Sequence, residues 1–234
     1  MPKPTVKSAA RHELVMGQLM EAAERLFVQQ GVAGTSLQDL ADAIGLTRTS
    51  VYHYVRNKDE MLEALVRDFT LETADDLRRL AADTGSPAID RLREAIRNTA
   101  FKVAQNPRRF RLILTSESSF PEALHKQYRK ARRETLAALV DLVEQAIREG
   151  SCRPVEPDLA AFGLIGAANW IAFWYPRPQG SGTRGPEAVA AELADNVVGG
   201  LQTDRTPQGG DPVRHVVGLL EEDLGRLKRM ISEE

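Results

Sequence analysis

The stretch from Thr35 to Leu62 constrains the fold most, because it predicts two short helices joined by a tight turn and then the start of a third helix. Ser36 and Asp39 have the spacing of a capping box, which begins the first of these helices. Gly45 can adopt the positive φ angle that ends a helix and turns the chain. A helix, a glycine turn and a second short helix form the unit that places one helix in the major groove of DNA.

The predicted second helix, residues 47–54, carries the side chains of a DNA-reading helix. Thr47 offers a hydroxyl for its N-cap, and Val51 is expected to face the core. No acidic residue lies between Ile44 and Asp59, so nothing there repels phosphate. Lys58, in the first turn of the third helix, is predicted to bind phosphate together with free backbone N–H groups. The other predicted DNA contacts are Thr35, Ser36, Thr47, Arg48, Thr49, Ser50, Tyr52, His53 and Tyr54.

The segment GLTRTSVYHYVRNKDEML resembles the TetR family of transcriptional regulators. The shared features are a Gly-hydrophobic-Thr turn, a short tyrosine-rich recognition helix and an Asn-Lys-Asp start to the next helix. One departure is Val55, where the family usually has Phe. The preceding helix, predicted over residues 11–30, fits the resemblance because its apolar residues share one face, namely Leu14, Leu19, Ala22, Ala23, Leu26 and Phe27. The alternative is a polar helical hairpin in some other all-α protein.

The rest of the chain is predicted to be helical, because no segment alternates for long enough to indicate a strand. The expected fold is all-α, with an N-terminal three-helix helix-turn-helix domain followed by a helical body for ligand binding and dimerisation. The predicted domains are a disordered basic arm (1–10), the DNA-binding domain (11–57), the body (58–202), and a linker with a C-terminal amphipathic helix (203–234, helical over 211–232). The predicted body helices are 57–82, 87–105, 107–115, 121–149, 158–175 and 187–201.

The run from Leu159 to Pro176 contains no charged residue, which permits two interpretations. A membrane-spanning helix needs about 20 apolar residues, and this run is shorter and contains Asn169. Its small residues favour burial against another helix instead. The family resemblance implies that the last two core helices pair with those of a second subunit, and residues 158–175 and 187–201 match that role. A two-fold DNA site also requires two recognition helices, so we predict a homodimer without membrane contact.

The resemblance also implies an effector pocket inside the body. Asn169 stands out there, because an amide in an apolar helix needs a hydrogen-bond partner. Residues 149–180 are similar to TetR-type regulators of lipid and sterol catabolism, some of which respond to acyl-CoA thioesters. Arg108, Arg109 and Arg111 are candidates for binding CoA phosphates, or else form an exposed helix face. The predicted pocket residues are Phe101, Phe110, Leu114, Tyr128, Asn169, Trp170, Phe173 and Trp174.

Composition and motifs give no support for catalysis, a metal or a cofactor. The four histidines are scattered along the chain, and the net charge of −2 gives no general indication of a nucleic-acid partner. The glycines of residues 180–185 form GxGxxG but follow no strand, so a linker is expected. The single Cys152 and an N-terminus without an apolar core predict a cytoplasmic protein. We therefore predict a repressor released by a small hydrophobic effector, with an acyl-CoA thioester as the specific candidate. The alternative is a helical lipid-binding protein or enzyme that uses the body pocket.

Overall fold

The structure, a computed structural model, describes residues 6–176 and 184–203. Over these residues the chain forms helices and turns without a β-sheet, which confirms the predicted all-α fold. A π-helical turn, Arg67–Leu71, joins the fourth and fifth helices, and a 3-10 turn, Glu117–Ser119, follows the seventh. The helices are α1 (Val6–Gly34), α2 (Leu37–Ala43), α3 (Arg48–Val51), α4 (Lys58–Val66), α5 (Glu72–Ala82), α6 (Ala88–Gln105), α7 (Pro107–Ser116), α8 (Glu122–Arg148), α9 (Pro157–Trp174) and α10 (Pro186–Gly199).

Helices α1 to α4 enclose the core of the N-terminal domain. The predicted apolar face of α1 is buried from Leu19 to Phe27, both of which are at most 2% exposed. Val51 of α3 and the neighbouring Val55 complete this core, so a valine fills the position where the family usually has Phe. Leu14 was predicted to join the same face, but it is 65% exposed, because it lies about 140° around the helix from Leu19.

Several predicted boundaries need correction. Helix α1 begins at Val6, so the predicted disordered arm is helical from that residue, while residues 1–5 lie outside the described part of the chain. Helix α3 ends at Val51, and residues 52–54 continue as a turn in which the N–H of Tyr54 donates to the Val51 carbonyl at 2.9 Å. The helix predicted over 57–82 contains the π-helical turn. The predicted C-terminal helix, 211–232, also lies outside the described residues.

The body is organised around α6, which packs against α8, α9 and α10. A buried arginine fixes α5 and α8 to α6. Arg91 is 2% exposed, and its guanidinium donates to the carbonyls of Ser86 and Leu80 at 3.0 Å each and to Oε1 of Gln145 at 2.8 Å. A buried cation is tolerated because these acceptors replace its water shell. These bonds hold α5, α6 and α8 together, and α7 and the π-helical turn pack against this group of helices.

Candidate DNA-binding surface and effector cavity

The helix-turn-helix is held by caps that use residues from its own sequence. The N–H of Ser36 donates to Oδ2 of Asp39 at 2.8 Å, while the Ser36 hydroxyl accepts from the Asp39 N–H at 3.2 Å. The Ser36 hydroxyl also donates to Oδ2 of Asp39 at 2.8 Å, and the bonds from the Ser36 N–H and hydroxyl lower the pKa of that carboxyl below its ordinary value. Gly45 turns the chain with a φ of 69°, and Oγ1 of Thr47 accepts from the N–H of Ser50 at 3.2 Å to start α3.

The outer surface of α3 is polar and exposed. Arg48, Thr49 and His53 are exposed, and Tyr52 is 48% exposed. The Arg48 guanidinium donates to the Tyr52 hydroxyl at 3.3 Å and lies 5.8 Å from the centre of its ring. The helix therefore presents donors, acceptors and an aromatic edge on one surface, which is the chemistry that reads base edges and phosphates in the major groove.

The predicted contacts Thr35, Ser36, Ser50 and Tyr54 are less available than the rest. Thr35 is 2% exposed, and its hydroxyl donates to the Gly31 carbonyl at 2.9 Å. The Ser36 and Ser50 hydroxyls already take part in caps. Tyr54 is half-buried, and its ring stacks on His12 of α1 with 4.9 Å between centroids. These side chains position α3 in the structure, and their contact with DNA stays a prediction.

Lys58 has a role that sequence reasoning missed. Its Nζ donates to the carbonyls of Val32 at 2.7 Å, Ala33 at 3.2 Å and Thr35 at 3.2 Å, at the end of α1. An ammonium has three donors, so all of them are engaged within the domain. The lysine therefore satisfies carbonyls that the end of a helix leaves unpaired. Its predicted phosphate contact would have to compete with these bonds.

A cavity of about 540 Å³ lies in the body between the π-helical turn, α6, α7, α8 and α9. Its apolar wall is formed by Phe69, Phe110, Ile113, Leu114, Tyr128, Leu136, Phe162 and Ile165. Four threonines (Thr70, Thr73, Thr99 and Thr135) and Asn169 add hydroxyl and amide groups to the lining. This volume and this mixture of apolar wall and sparse polar groups are typical of a small-molecule site.

The cavity contains half of the predicted effector residues. Phe110, Leu114, Tyr128 and Asn169 line it, whereas Phe101, Trp170, Phe173 and Trp174 do not. Trp170 and Phe173 are 62% and 52% exposed and stack on each other nearer the C-terminal end of α9, beyond the last lining residue, Asn169. Asn169 is half-buried, and within the described residues its amide has no hydrogen-bond partner, which leaves it free to bind a ligand.

Cationic side chains dominate the charge at the edge of the cavity. Lys102, Arg129, Arg132 and Arg133 line it, against one acid, Glu117. Two of the cations are already paired: Lys102 lies 3.4 Å from Glu72, and Arg132 lies 3.2 Å from Glu117.

Besides its ion pair with Glu117, Arg132 contacts the aromatic ring of Tyr128. The Arg132 guanidinium lies 5.5 Å from the centre of the Tyr128 ring. Burial raises the pKa of Tyr128, an effect that Arg132 opposes, so the phenol stays a neutral hydrogen-bonding group.

The arginines predicted to meet CoA phosphates lie elsewhere. Nε of Arg109 donates to Glu24 of α1 at 2.8 Å, and Arg111 donates to the Ala172 carbonyl of α9. Neither these two nor Arg108 lines the cavity. Arg109 instead links the body to the N-terminal domain, with both partners about one-fifth exposed. Three of the four basic residues of the cavity, Arg129, Arg132 and Arg133, come from α8, where the sequence HKQYRKARR could have indicated them, and Lys102 comes from α6.

The outward surface of α9 is apolar. Leu159, Phe162, Trp170 and Phe173 are between 52% and 73% exposed. Gly163 and Gly166 lie on the same stripe and are also exposed, and Phe162 and Gly166 belong to the cavity lining as well. No helix in the described residues is long and apolar enough to cross a membrane. Those residues also contain no cluster of three or more histidine, cysteine or acidic side chains that could hold a metal ion.

An exposed polar helix on a capped helix-turn-helix, joined to a helical body, defines a DNA-binding regulator. Comparison with known proteins agrees. Residues 19–65 match the profile of bacterial regulatory proteins of the tetR family, and residues 85–201 match the tetracyclin repressor-like C-terminal domain. The chain belongs to the TetR family of transcriptional regulators.

Two relatives show how far the similarity extends. The transcriptional repressor KstR2 of Mycobacterium tuberculosis strain H37Rv is 30% identical over 194 residues, which cover 79% of this chain and 92% of that protein. The regulator TtgR of Pseudomonas putida is 47% identical, but over 62 residues, or 26% of this chain and 29% of that one. The N-terminal domain is therefore shared more widely than the body.

Solved structures give the same fold. The ketosteroid regulator KstR2 of Mycobacterium tuberculosis matches with a TM-score of 0.70 at 23% identity, covering 81% of this chain and 95% of that one. AibR, solved in complex with isovaleryl coenzyme A and operator DNA, matches with a TM-score of 0.63 at 26% identity, covering 80% and 97%.

Proposed function

We propose that this protein is a dimeric repressor that a small amphipathic effector, with an acyl-CoA thioester as the leading candidate, releases from its operator. The observation that carries the proposal is the cavity of about 540 Å³, because Phe69 and Thr70 of the π-helical turn form part of its wall. That turn directly follows α4, the helix that leaves the DNA-binding domain. A ligand in the cavity therefore contacts the connection between the two domains.

DNA recognition is assigned to α3. The exposed side chains Arg48 and Thr49 of α3, and Tyr52 and His53 of the turn that follows it, are the proposed contacts to bases and phosphates. Two copies of α3 are needed to read a two-fold site. The apolar stripe on α9 supplies a surface for the second copy, because exposed aromatic residues on a helix rich in glycine and alanine favour close helix packing.

The release mechanism follows from geometry. In a π-helical turn the backbone hydrogen bonds join residues five apart instead of four, and such turns often occur at functional positions. A ligand packed against Phe69 changes the position of that turn relative to α7, which shifts α4 and with it the spacing of the two recognition helices. Operator half-sites have a fixed spacing, so one arrangement binds DNA and the other does not.

The chemistry of two relatives supports the choice of effector. AibR has been solved with an acyl-CoA thioester and operator DNA, and KstR2 is a repressor described as a ketosteroid regulator. Both points concern those proteins. They make acyl-CoA thioesters of short branched, long and polycyclic acids the first effectors to try on this one.

The test combines operator binding with one variant of the cavity. DNA from upstream of the gene is titrated with protein in a mobility-shift assay, with and without a panel of acyl-CoA thioesters. We expect Asn169→Leu to bind DNA like the wild type and to need at least about tenfold more effector for release, because a polar group of the ligand loses the amide as its hydrogen-bond partner.

Asn98→Leu is the matched control, since Asn98 is exposed on α6 and does not line the cavity. If the wild-type protein does not bind the upstream DNA, the proposed function as its regulator is refuted. If Asn169→Leu and Asn98→Leu both bind this DNA and are released from it by the same effector concentration, the effector site lies elsewhere.

A further inference from the structure

The cationic edge of the cavity contains two arginines without a partner. Arg129 and Arg133 both line the cavity, and within the described residues neither forms an ion pair or a side-chain hydrogen bond. They are one turn apart on α8, so their side chains lie on the same face of the helix.

Neighbouring cations on α8 behave differently. Lys126 pairs with Glu122 at 2.6 Å, and Lys130 lies 3.7 Å from Glu134. Arg132 pairs with Glu117 at 3.2 Å. Acidic partners therefore exist along this part of the helix, and they are matched to the cations that face away from the cavity or are fixed in its wall. The two arginines that face the cavity remain free for an anion from solution.

We infer that Arg129 and Arg133 bind the anionic group of the effector, which makes the effector an amphipathic anion. The inference rests on the proposed function, in which this cavity is the effector site. Guanidinium groups recognise phosphate and carboxylate alike, through paired hydrogen bonds to two oxygens. The phosphates of coenzyme A and the carboxylate of a free acid are thus two sources of the same chemistry.

The layout of the cavity orients such a ligand. Phe69, Phe110 and Ile113 are buried and form an apolar end near α7 and the π-helical turn. Arg129 and Arg133 are exposed and mark the end that is open to solvent. An apolar tail fits between the buried side chains, while the anion stays at the rim, where the arginines hold it without a large loss of hydration. Binding is then expected to weaken as salt screens the exposed charges.

The test uses the whole protein and calorimetric titration in the absence of DNA. Wild type, Arg129→Gln and Arg133→Gln are titrated with three forms of each acyl group: the coenzyme A thioester, the free acid and the uncharged S-acyl pantetheine. The acyl groups are isovaleryl, octanoyl, palmitoyl and a steroid side-chain acid. Arg148→Gln is the matched control, because Arg148 is an exposed arginine of α8 that pairs with Glu144 outside the cavity.

We expect at least one anionic form to bind the wild type and to lose roughly tenfold in affinity in each of the two cavity variants. The pantetheine ester and the Arg148→Gln control should show no such loss. A loss confined to the thioester identifies phosphate as the bound group, and a loss with the free acid identifies carboxylate.

Two results would overturn the inference: equal binding of the anionic forms to wild type and to both cavity variants, or binding of none of the anionic forms. Operator release is measured separately. An anion that binds through both arginines but leaves the operator complex intact contradicts the proposed function and not this assignment.

Discussion

Replacing Lys58 by methionine separates two explanations of the same residue. The structure shows its ammonium donating to three carbonyls of residues 32–35, at 2.7, 3.2 and 3.2 Å. Methionine keeps an unbranched apolar side chain as far as the ε position and removes all three bonds. Hydrogen bonds to a charged group contribute about 1.5–3 kcal/mol when buried, and because Lys58 is half-buried we assign that range to the whole group rather than to each bond. For a chain of this size that corresponds to a loss of roughly 3–12 °C in melting temperature.

The assay must observe the N-terminal domain directly. Both tryptophans, Trp170 and Trp174, lie in α9, so their fluorescence reports the body. Amide hydrogen exchange around residues 32–36 reports the end of α1 instead, and we expect protection to fall there in Lys58→Met. The salt dependence of DNA binding should keep its slope. A variant that retains wild-type protection and stability but loses about one unit of that slope would refute the structural role and establish a phosphate contact.

Three further predictions concern other parts of the chain. The pKa of Asp39 is lowered in the folded protein, so its stabilising effect is complete above the ordinary pKa of 3.8 and is lost as pH falls through the folded-state pKa. Acid unfolding followed by circular dichroism should therefore be less pH-dependent in Asp39→Asn than in Asp42→Asn. Phe173→Glu should yield monomers in sedimentation, because it places an unpaired charge in the proposed interface, whereas Val28→Glu should stay dimeric and a dimeric Phe173→Glu would move the interface. Arg109→Gln should bind operator and effector normally but reduce the effect of one on the other, and unchanged coupling would exclude this contact from the switch.

Local signals made most of the fold predictable. The break at Asn106 and Pro107, and the helix end at Gly150 with a φ of 71°, lie where the sequence placed them, because proline and glycine act on their own backbone. The capping box at Ser36 is another such case. The π-helical turn was missed, since the sequence RDFTL contains no residue that forces a break.

Helical periodicity identified faces but not what covers them. Leu14 was grouped on one face with Leu19, yet it is 65% exposed, because residues five apart lie about 140° from each other around a helix. Trp170 and Phe173 were predicted to line the cavity from their size and position, but the lining of α9 ends at Asn169, and both side chains are exposed farther along the helix. Lys58 shows the same limit from another side: its carbonyl partners are 23 to 26 residues away, and local sequence carries no signal for such contacts.

Neighbouring residues of α7 connect the cavity to the N-terminal domain by two routes. Phe110 lines the cavity and lies 5.5 Å from Phe69 of the π-helical turn, measured between ring centres. Arg109, the preceding residue, pairs with Glu24 of α1 at 2.8 Å. A ligand that separates the two phenylalanine rings therefore acts on α4 through the turn and on α1 through the ion pair. Because the two routes use different side chains, loss of Arg109 alone should weaken the coupling between effector and operator binding and leave the α4 route intact.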